Sequence, residues 1–323
     1  MAIHVLAAGT LALLAAVGPA PSLAATIKNE TKCWSFKASY PTTGNPSIDE
    51  DLTRWVKGLE KEFLAEARGF CTDDRCGRCG SELKYRVTRD DTEFLSIAFE
   101  DFRYMGGAYP TIYLPHRTYL KPEGRYVQIG DLLTPQGLEL LSQTALAEPK
   151  LQGRGDPDSL KRGLAPVSAN FESFTLSADS LTVQWCAGCL FSHAIGGLEV
   201  TIPLETVRPF FRGDLRLPAP SFDCSRAATR IEKAICDSWR LAQADRAMAD
   251  QFHLECLSVE RLRAISKSGP TCRDLQRDQA AWLKRRDGNC GDVPDTGVES
   301  CLLPLMEARA KALPNWGYEH SKP

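Results

Sequence analysis

The sequence predicts an α+β domain built on an antiparallel sheet, followed by a small all-α domain stapled by disulfides. Three observations carry this. Several stretches before position 216 have strand-like apolar patterns, whereas after 221 apolar residues recur only at helical spacing. The twelve cysteines divide evenly, six on each side. Between them lies Leu217-Pro218-Ala219-Pro220, whose prolines stiffen the backbone and remove donors as a short linker does. At 323 residues the chain has room for about two domains. With 43% hydrophobic and 25% charged residues it has the balance of an ordinary globular protein. A net charge of -2 gives no reason to expect a nucleic-acid partner.

Residues 1–24 read as a signal peptide. Val5 to Val17 is an uncharged apolar run, broken by Gly18, Pro19 and Pro21. Ser22 and Ala24 then place small residues three before and one before a cut. The run is shorter than the roughly 20 apolar residues a bilayer span needs. The segment ahead of it carries His4 but no Lys or Arg, a departure from the usual layout, and no Cys follows for lipid attachment. The mature chain is therefore expected to lack a transmembrane segment and to be periplasmic or secreted. The high, even cysteine count agrees, because oxidising compartments preserve disulfides.

The first domain is placed at 26–216. Trp34 to Tyr40 reads as a strand stopped by Pro41. Ile48, Leu52, Trp55, Val56, Leu59 and Phe63 follow at helical spacing. Leu83 to Arg89 is the next strand. In Phe94 to Tyr104, Leu95, Ile97 and Phe99 alternate with polar or small residues, the pattern of a half-buried strand. Gly106-Gly107 ends it with a bulge or tight turn. A helix from Pro135 to Ala147 precedes strands at Phe171 to Leu176, Leu181 to Trp185 and Leu198 to Ile202. Short turns without regular βα alternation argue for an antiparallel sheet.

The second domain is placed at 221–315, with 316–323 as a tail. Thr229 and Glu232 are spaced as a capping box before a short helix carrying Ile231 and Ile235. From Trp239 a longer helix presents Leu241, Ala244, Met248 and Phe252. Asp274 to Arg286 is a third helix, and a last one begins at Cys301-Leu302. So few helices make a marginal core, and staples would help. Cys224 and Cys236 flank the first helix, Cys256 and Cys272 the second connection, Cys290 and Cys301 the last turn. Pairing in that local order would contribute about 3 kcal/mol for each loop of about a dozen residues. In the first domain Cys33, Cys71, Cys76, Cys79, Cys186 and Cys189 are also disulfide candidates, with connectivity left open.

The chemistry-bearing residues are sparse. Cys76-Gly-Arg-Cys79 and Cys186-Ala-Gly-Cys189 have the spacing of zinc knuckles or redox pairs, but in an exported chain disulfides are the plainer reading. Of the histidines, His4, His116, His193, His253 and His320, none sits in a zinc-protease motif, and no nucleophile elbow or phosphate loop is present. Glu100 and Asp101 are neighbours on a strand and point to opposite faces, so they would not converge on one substrate; both are expected on the solvated surface. The basic stretch Trp282-Leu-Lys-Arg-Arg-Asp287 reads as a solvated helix face. The chain is accordingly expected not to be an enzyme, with no catalytic residue, metal or cofactor.

Two resemblances add to this reading. Pro220-Ser-Phe-Asp-Cys224, Ile231-Glu-Lys-Ala-Ile-Cys236, Leu241-Ala-Gln-Ala-Asp245 and Gln279-Ala-Ala-Trp-Leu-Lys-Arg-Arg-Asp287, with Cys290 and Cys301, make the second domain resemble the LprI-like lysozyme-inhibitor family. Cys256 and Cys272 are extra to that pattern. In the first domain the carriers are Phe94-Leu-Ser-Ile-Ala-Phe-Glu100, Tyr104-Met-Gly-Gly-Ala-Tyr-Pro110, Gly130-Asp-Leu-Leu133 and Gly197-Leu-Glu-Val-Thr-Ile-Pro-Leu204. It resembles the extracytoplasmic domain of RsiV-type anti-sigma factors, also found beside envelope deacetylases. That family often has His where Tyr109 stands. Both resemblances imply lysozyme or a related cell-wall hydrolase as protein partner. Binding is expected to occlude the hydrolase cleft, with Gly106, Gly107, Ala108 and Tyr109 as the candidate contact loop. Alternatives are an envelope glycan- or peptidoglycan-binding module without inhibitory activity, and a redox or metal protein using the CxxC pairs. Charge does little to choose. Residues 25–220 carry 23 Lys plus Arg against 26 Asp plus Glu, and 221–323 carry 16 against 15, so neither half is strongly acidic.

Overall fold

The computed structural model describes residues 24–71, 79–107, 109–151, 156–188 and 196–321. The signal segment, apart from Ala24, lies outside them, as do Cys76, Cys189, His193 and Ala108.

The first region opens with β1 (Ala24–Glu30), β2 (Trp34–Pro41) and α1 (Pro46–Phe70). It continues with β3 (Cys79–Asp90), β4 (Phe94–Met105), β5 (Thr111–Tyr113), β6 (Arg117–Leu120) and β7 (Arg125–Val127). These strands form one sheet in the order β1-β2-β3-β4-β6-β7, with β5 pairing on β4. Every pair in it is antiparallel except β2 with β3, where Trp34 lies opposite Cys79. The exception has a physical cause. α1 connects these two strands, and parallel neighbours need a crossover of this kind. Asn45 caps α1, accepting from the backbone N–H of Ser47 and Ile48 at 3.0 and 3.4 Å. Ile48, Leu52, Val56 and Phe63 then bury one stripe of the helix against Phe36, Leu83, Ile97 and Phe99 of the sheet.

The short helices α2 (Ile129–Leu132), α3 (Pro135–Leu146) and α4 (Pro157–Gly163) follow, then β8 (Phe174–Leu176), β9 (Ser180–Trp185), β10 (Leu198–Pro203) and α5 (Leu204–Val207). The last three strands make a separate antiparallel sheet. A second core joins it to α2, α3 and the near end of β4, through Phe94, Leu120, Phe171, Leu181 and Val200. This layer changes the reading of β4. Its first four residues, Phe94 to Ile97, are all buried, because one face meets α1 and the other meets the small sheet. Ser96, a polar position in the alternation, sits in that seam. Its hydroxyl pairs with Thr118 Oγ1 at 2.9 Å and accepts from the Leu176 N–H at 2.9 Å.

The second region is helical: α6 (Arg230–Asp237), α7 (Trp239–Ser266), α8 (Cys272–Cys290), α9 (Asp295–Ala312) and α10 (Trp316–Glu319). The Thr229–Glu232 capping box forms in both directions, at 3.1 and 2.8 Å. Disulfides join Cys224 to Cys236, Cys256 to Cys272 and Cys290 to Cys301. The last long helix begins at Asp295 behind Pro294, not at Cys301, so Cys301 lies within α9. Pro294 supplies the fixed φ that suits a helix entry. The stretch beyond 315, read as a tail, is folded in. Trp316 is buried and stacks on His320, and the Gly317 N–H donates to Glu255 Oε1 at 2.7 Å.

α7 packs on two sides at once. Leu241 belongs to the core with α6 and α9, and Met248 and Val259 to the one beside α8. Its polar residues Gln243, Asp245 and Arg246 are also buried, and Gln243 and Arg246 bond to the first region. Asp131 of α2 is the hub there. It accepts from Arg246 and Gln243, each at 2.7 Å, and lies 3.5 Å from Arg125. A Cβ on Gly130 would lie 2.5 Å from Arg246 Nε, so the glycine leaves room for that guanidinium. Asp250 accepts from the hydroxyl of Ser168 and from the Ala169 N–H. The 217–220 stretch is pinned in the same place. Ala219 and Pro220 are buried, Arg246 donates to the Ala219 carbonyl, and the Ser221 N–H and hydroxyl donate to Asp245 at 2.9 and 2.6 Å.

Candidate functional site

The hairpin joining β4 to β5 rises at the end of the large sheet. Gly106 turns it at φ 78°, a conformation side chains resist. The Tyr104 hydroxyl donates to the Gly107 carbonyl at 2.9 Å. Tyr109 stands free at 80% exposure. Beside it the last turn of α1 offers Phe70, and β5 offers Tyr113; the groove between them holds about 310 Å³. Three of the eleven exposed large hydrophobics among the described residues line this groove, Phe70, Tyr109 and Tyr113, while Phe102 and Ile112 pair on the other face of the sheet. Such clustering marks an interaction surface more than scattered apolar residues do.

Beneath the aromatics is a rigid polar floor. Arg103 donates to Asp101 at 2.7 Å and reaches Glu66 of α1 at 3.4 Å. The Ser81 hydroxyl donates to Asp101 at 2.8 Å. The guanidinium also lies 5.1 Å from the Tyr113 ring centre. Burial alone would lower the Arg103 pKa, but Asp101 and then Glu66 outweigh it and hold it above its ordinary value. Its Nε has no hydrogen-bond partner among the described residues. Asp101, expected with Glu100 on the solvated surface, is therefore a buried ion-pair member, while Glu100 is exposed. The strand alternation placed the two on opposite faces; what it did not show was that α1 covers one of them.

A disulfide holds the base of this groove. Cys71 caps α1 and is bonded to Cys79, the first residue of β3, which lies opposite Met105. Cys79 is thus committed to Cys71, as the disulfide reading expects, and not to the redox or zinc alternative for Cys76–Cys79. Cys33 and Cys186 are disulfide-bonded as well. His116 is buried, accepts the Phe99 N–H at Nδ1 and lies 2.6 Å from Gln184 at Nε2. Desolvation lowers its pKa, leaving a neutral structural imidazole. In the basic stretch, Arg286 is buried rather than solvated, paired with Asp287 at 2.7 Å and packed near Trp282. Among the described residues no group of three or more His, Cys, Asp or Glu is placed to hold a metal ion, and no helix is long and apolar enough to cross a membrane.

The architecture is that of an α+β region carrying a disulfide-stapled helical region, a build suited to an oxidising compartment. Residues 224–313 match the family model of lysozyme inhibitor LprI. The N-terminal region is similar to the peptidoglycan-N-acetylmuramic acid deacetylase PdaC of Bacillus subtilis strain 168, 23% identical over 180 residues. That similarity covers 53% of this chain and 38% of the deacetylase, so the chain spans well under half of that relative. Among solved structures, a DUF3298 family protein from Pseudomonas aeruginosa PAO1 aligns with TM-score 0.45 and 16% identity, over 61% of this chain and 97% of that one. A DUF3298 family member from Bacteroides fragilis NCTC 9343 aligns with TM-score 0.39 and 15% identity, over 59% and 92%. The LprI match and the disulfides support an extracytoplasmic protein.

Proposed function

We propose that this protein binds lysozyme or a related cell-wall hydrolase and inhibits it by occlusion, without being an enzyme itself. The observation that carries the reading is the match of residues 224–313 to the lysozyme inhibitor LprI family. The hairpin groove gives it a surface. Exposed Tyr109 and Phe70 are amphipathic or apolar anchors of the kind that dominate protein interfaces. The disulfide and the Asp101–Arg103–Glu66 floor hold that surface in shape, which limits the ordering cost of binding. The candidate loop Gly106, Gly107, Ala108 and Tyr109 would enter the glycan cleft of the hydrolase. The signal segment would deliver the chain to the periplasm or outside.

The test is muramidase activity of a C-type and a g-type lysozyme on cell walls, titrated with the purified mature protein. Stoichiometric loss of activity with either enzyme is the expected result. Full activity of both at excess protein rejects inhibition.

A further inference from the structure

A second concave site lies away from the hairpin and shares no lining residue with its groove. It is a cleft of about 530 Å³, within the roughly 300–1,000 Å³ typical of small-molecule sites. Its accessible apolar lining is exposed Pro122 with half-buried Phe211 and Leu215; Phe94 and Leu120 lie buried behind it, with the Arg89 guanidinium over the Phe94 ring. Four arginines reach it, and they are not equivalent. Arg89 is committed to Asp91 at 2.6 Å and Arg216 to Asp214 at 3.1 Å. Arg208 is exposed and makes no side-chain hydrogen bond or ion pair among the described residues. Arg212 donates from Nε to the Gly130 carbonyl at 2.9 Å, which leaves its two terminal nitrogens uncommitted.

We infer that this cleft binds a saccharide bearing a carboxylate, with Arg208 and Arg212 taking the carboxylate and the apolar floor taking the face of the sugar ring. The two arginines flank extended Phe211, both line the cleft, and neither has an acidic side chain bonded to it among the described residues. Burial, and then Arg246, holds the Arg212 guanidinium below the ordinary arginine value despite Asp131, so an incoming anion relieves an uncompensated charge. Guanidinium forks match carboxylates and phosphates alike. The acidic lining separates these two. Glu93, Glu123 and Asp214 also face the cleft. Glu93 and Asp214 are offset by Arg89 and Arg216, but Glu123 makes no ion pair among the described residues; it would repel a phosphate dianion more than a single carboxylate and would accept from a sugar hydroxyl.

Calorimetric titration of the full chain tests this, with N-acetylmuramic acid as probe, N-acetylglucosamine as its counterpart lacking the lactyl carboxylate, and inorganic phosphate as the rival anion. Arg208→Ala and Arg208→Glu are the variants of choice, since Arg208 supports no other contact. The expected result is binding of N-acetylmuramic acid, much weaker binding of N-acetylglucosamine, a loss of about tenfold in R208A and no measurable binding in R208E. Binding of phosphate in preference to N-acetylmuramic acid would overturn the carboxylate assignment. Equal binding of both sugars, or R208E matching the natural protein, would overturn the site. Lysozyme inhibition is read separately, so that proposal and this one can fail independently.

Discussion

The two regions solve the same stability problem by different means. Among the described residues the α+β region buries two large cores, with twenty-two and fifteen buried members. The helical region has two small ones, with eight and five. A core that small leaves little margin over chain entropy, and three disulfides sit where its helices meet. The comparison teaches that the helical region owes its fold to covalent staples and to its neighbour. α7 lends its apolar side to its own bundle and its polar side to Asp131.

The largest expected effect follows from the staples. Replacing the cysteines of all three helical disulfides with alanine should unfold the helical region while the sheet region persists. Each lost bridge costs about 2–5 kcal/mol. Far-ultraviolet circular dichroism during thermal melting checks this; an unchanged helical transition would break the comparison. Next comes the junction. Arg246→Ala leaves Asp131 buried with fewer partners and should destabilise by about 3 kcal/mol. It should also make the 217–220 stretch cleavable by limited proteolysis. Resistance equal to that of the natural chain would show that the two regions do not depend on this contact.

A smaller effect is set by pH. Glu172 faces Asp131, Asp250 and Arg246 at the junction, and Tyr126 from β7. Burial, reinforced by Asp131 and Asp250 against the pull of Arg246, pushes its carboxyl up to about 8 from an ordinary 4.5. The folded protein therefore keeps a proton that the unfolded chain releases. Its contribution to stability is complete below pH 4.5 and is lost progressively as pH rises towards 8. Melting temperatures across that window should fall more for the natural protein than for Glu172→Gln; parallel curves would contradict the assignment. The smallest effect is at the hairpin. Tyr109→Ala should leave stability within about 0.5 kcal/mol, because the ring is almost fully exposed.

Much of the fold was legible because it is written in local periodicity. The α1 stripe from Ile48 to Phe63, the alternation in β4 and the Thr229–Glu232 box each need only near neighbours to be read. β5 and β7, three residues each, are too short to show a period. The parallel pairing of β2 with β3 depends on where α1 returns the chain, which periodicity does not encode. The junction was hidden for another reason. A polar helix face against water and one against a protein have the same sequence, so no local pattern marks Gln243, Arg246 and Asp250 as contacts to the first region. At the candidate site, Gly106-Gly107 announced the turn and Tyr109 its tip. The contributions of Phe70, Glu66 and the Cys71–Cys79 bridge come from chain segments far away in sequence, and no local signal links them.

The proposed contact between the hairpin groove and a cell-wall hydrolase is open to direct measurement. It is tested most directly by titrating a lysozyme that the natural protein inhibits against the natural protein and the Tyr109→Ala variant, measuring affinity by calorimetry. The expected result is a stoichiometric complex for the natural protein and a loss of about tenfold or more for the variant, at unchanged stability. Equal affinity in the two would contradict it.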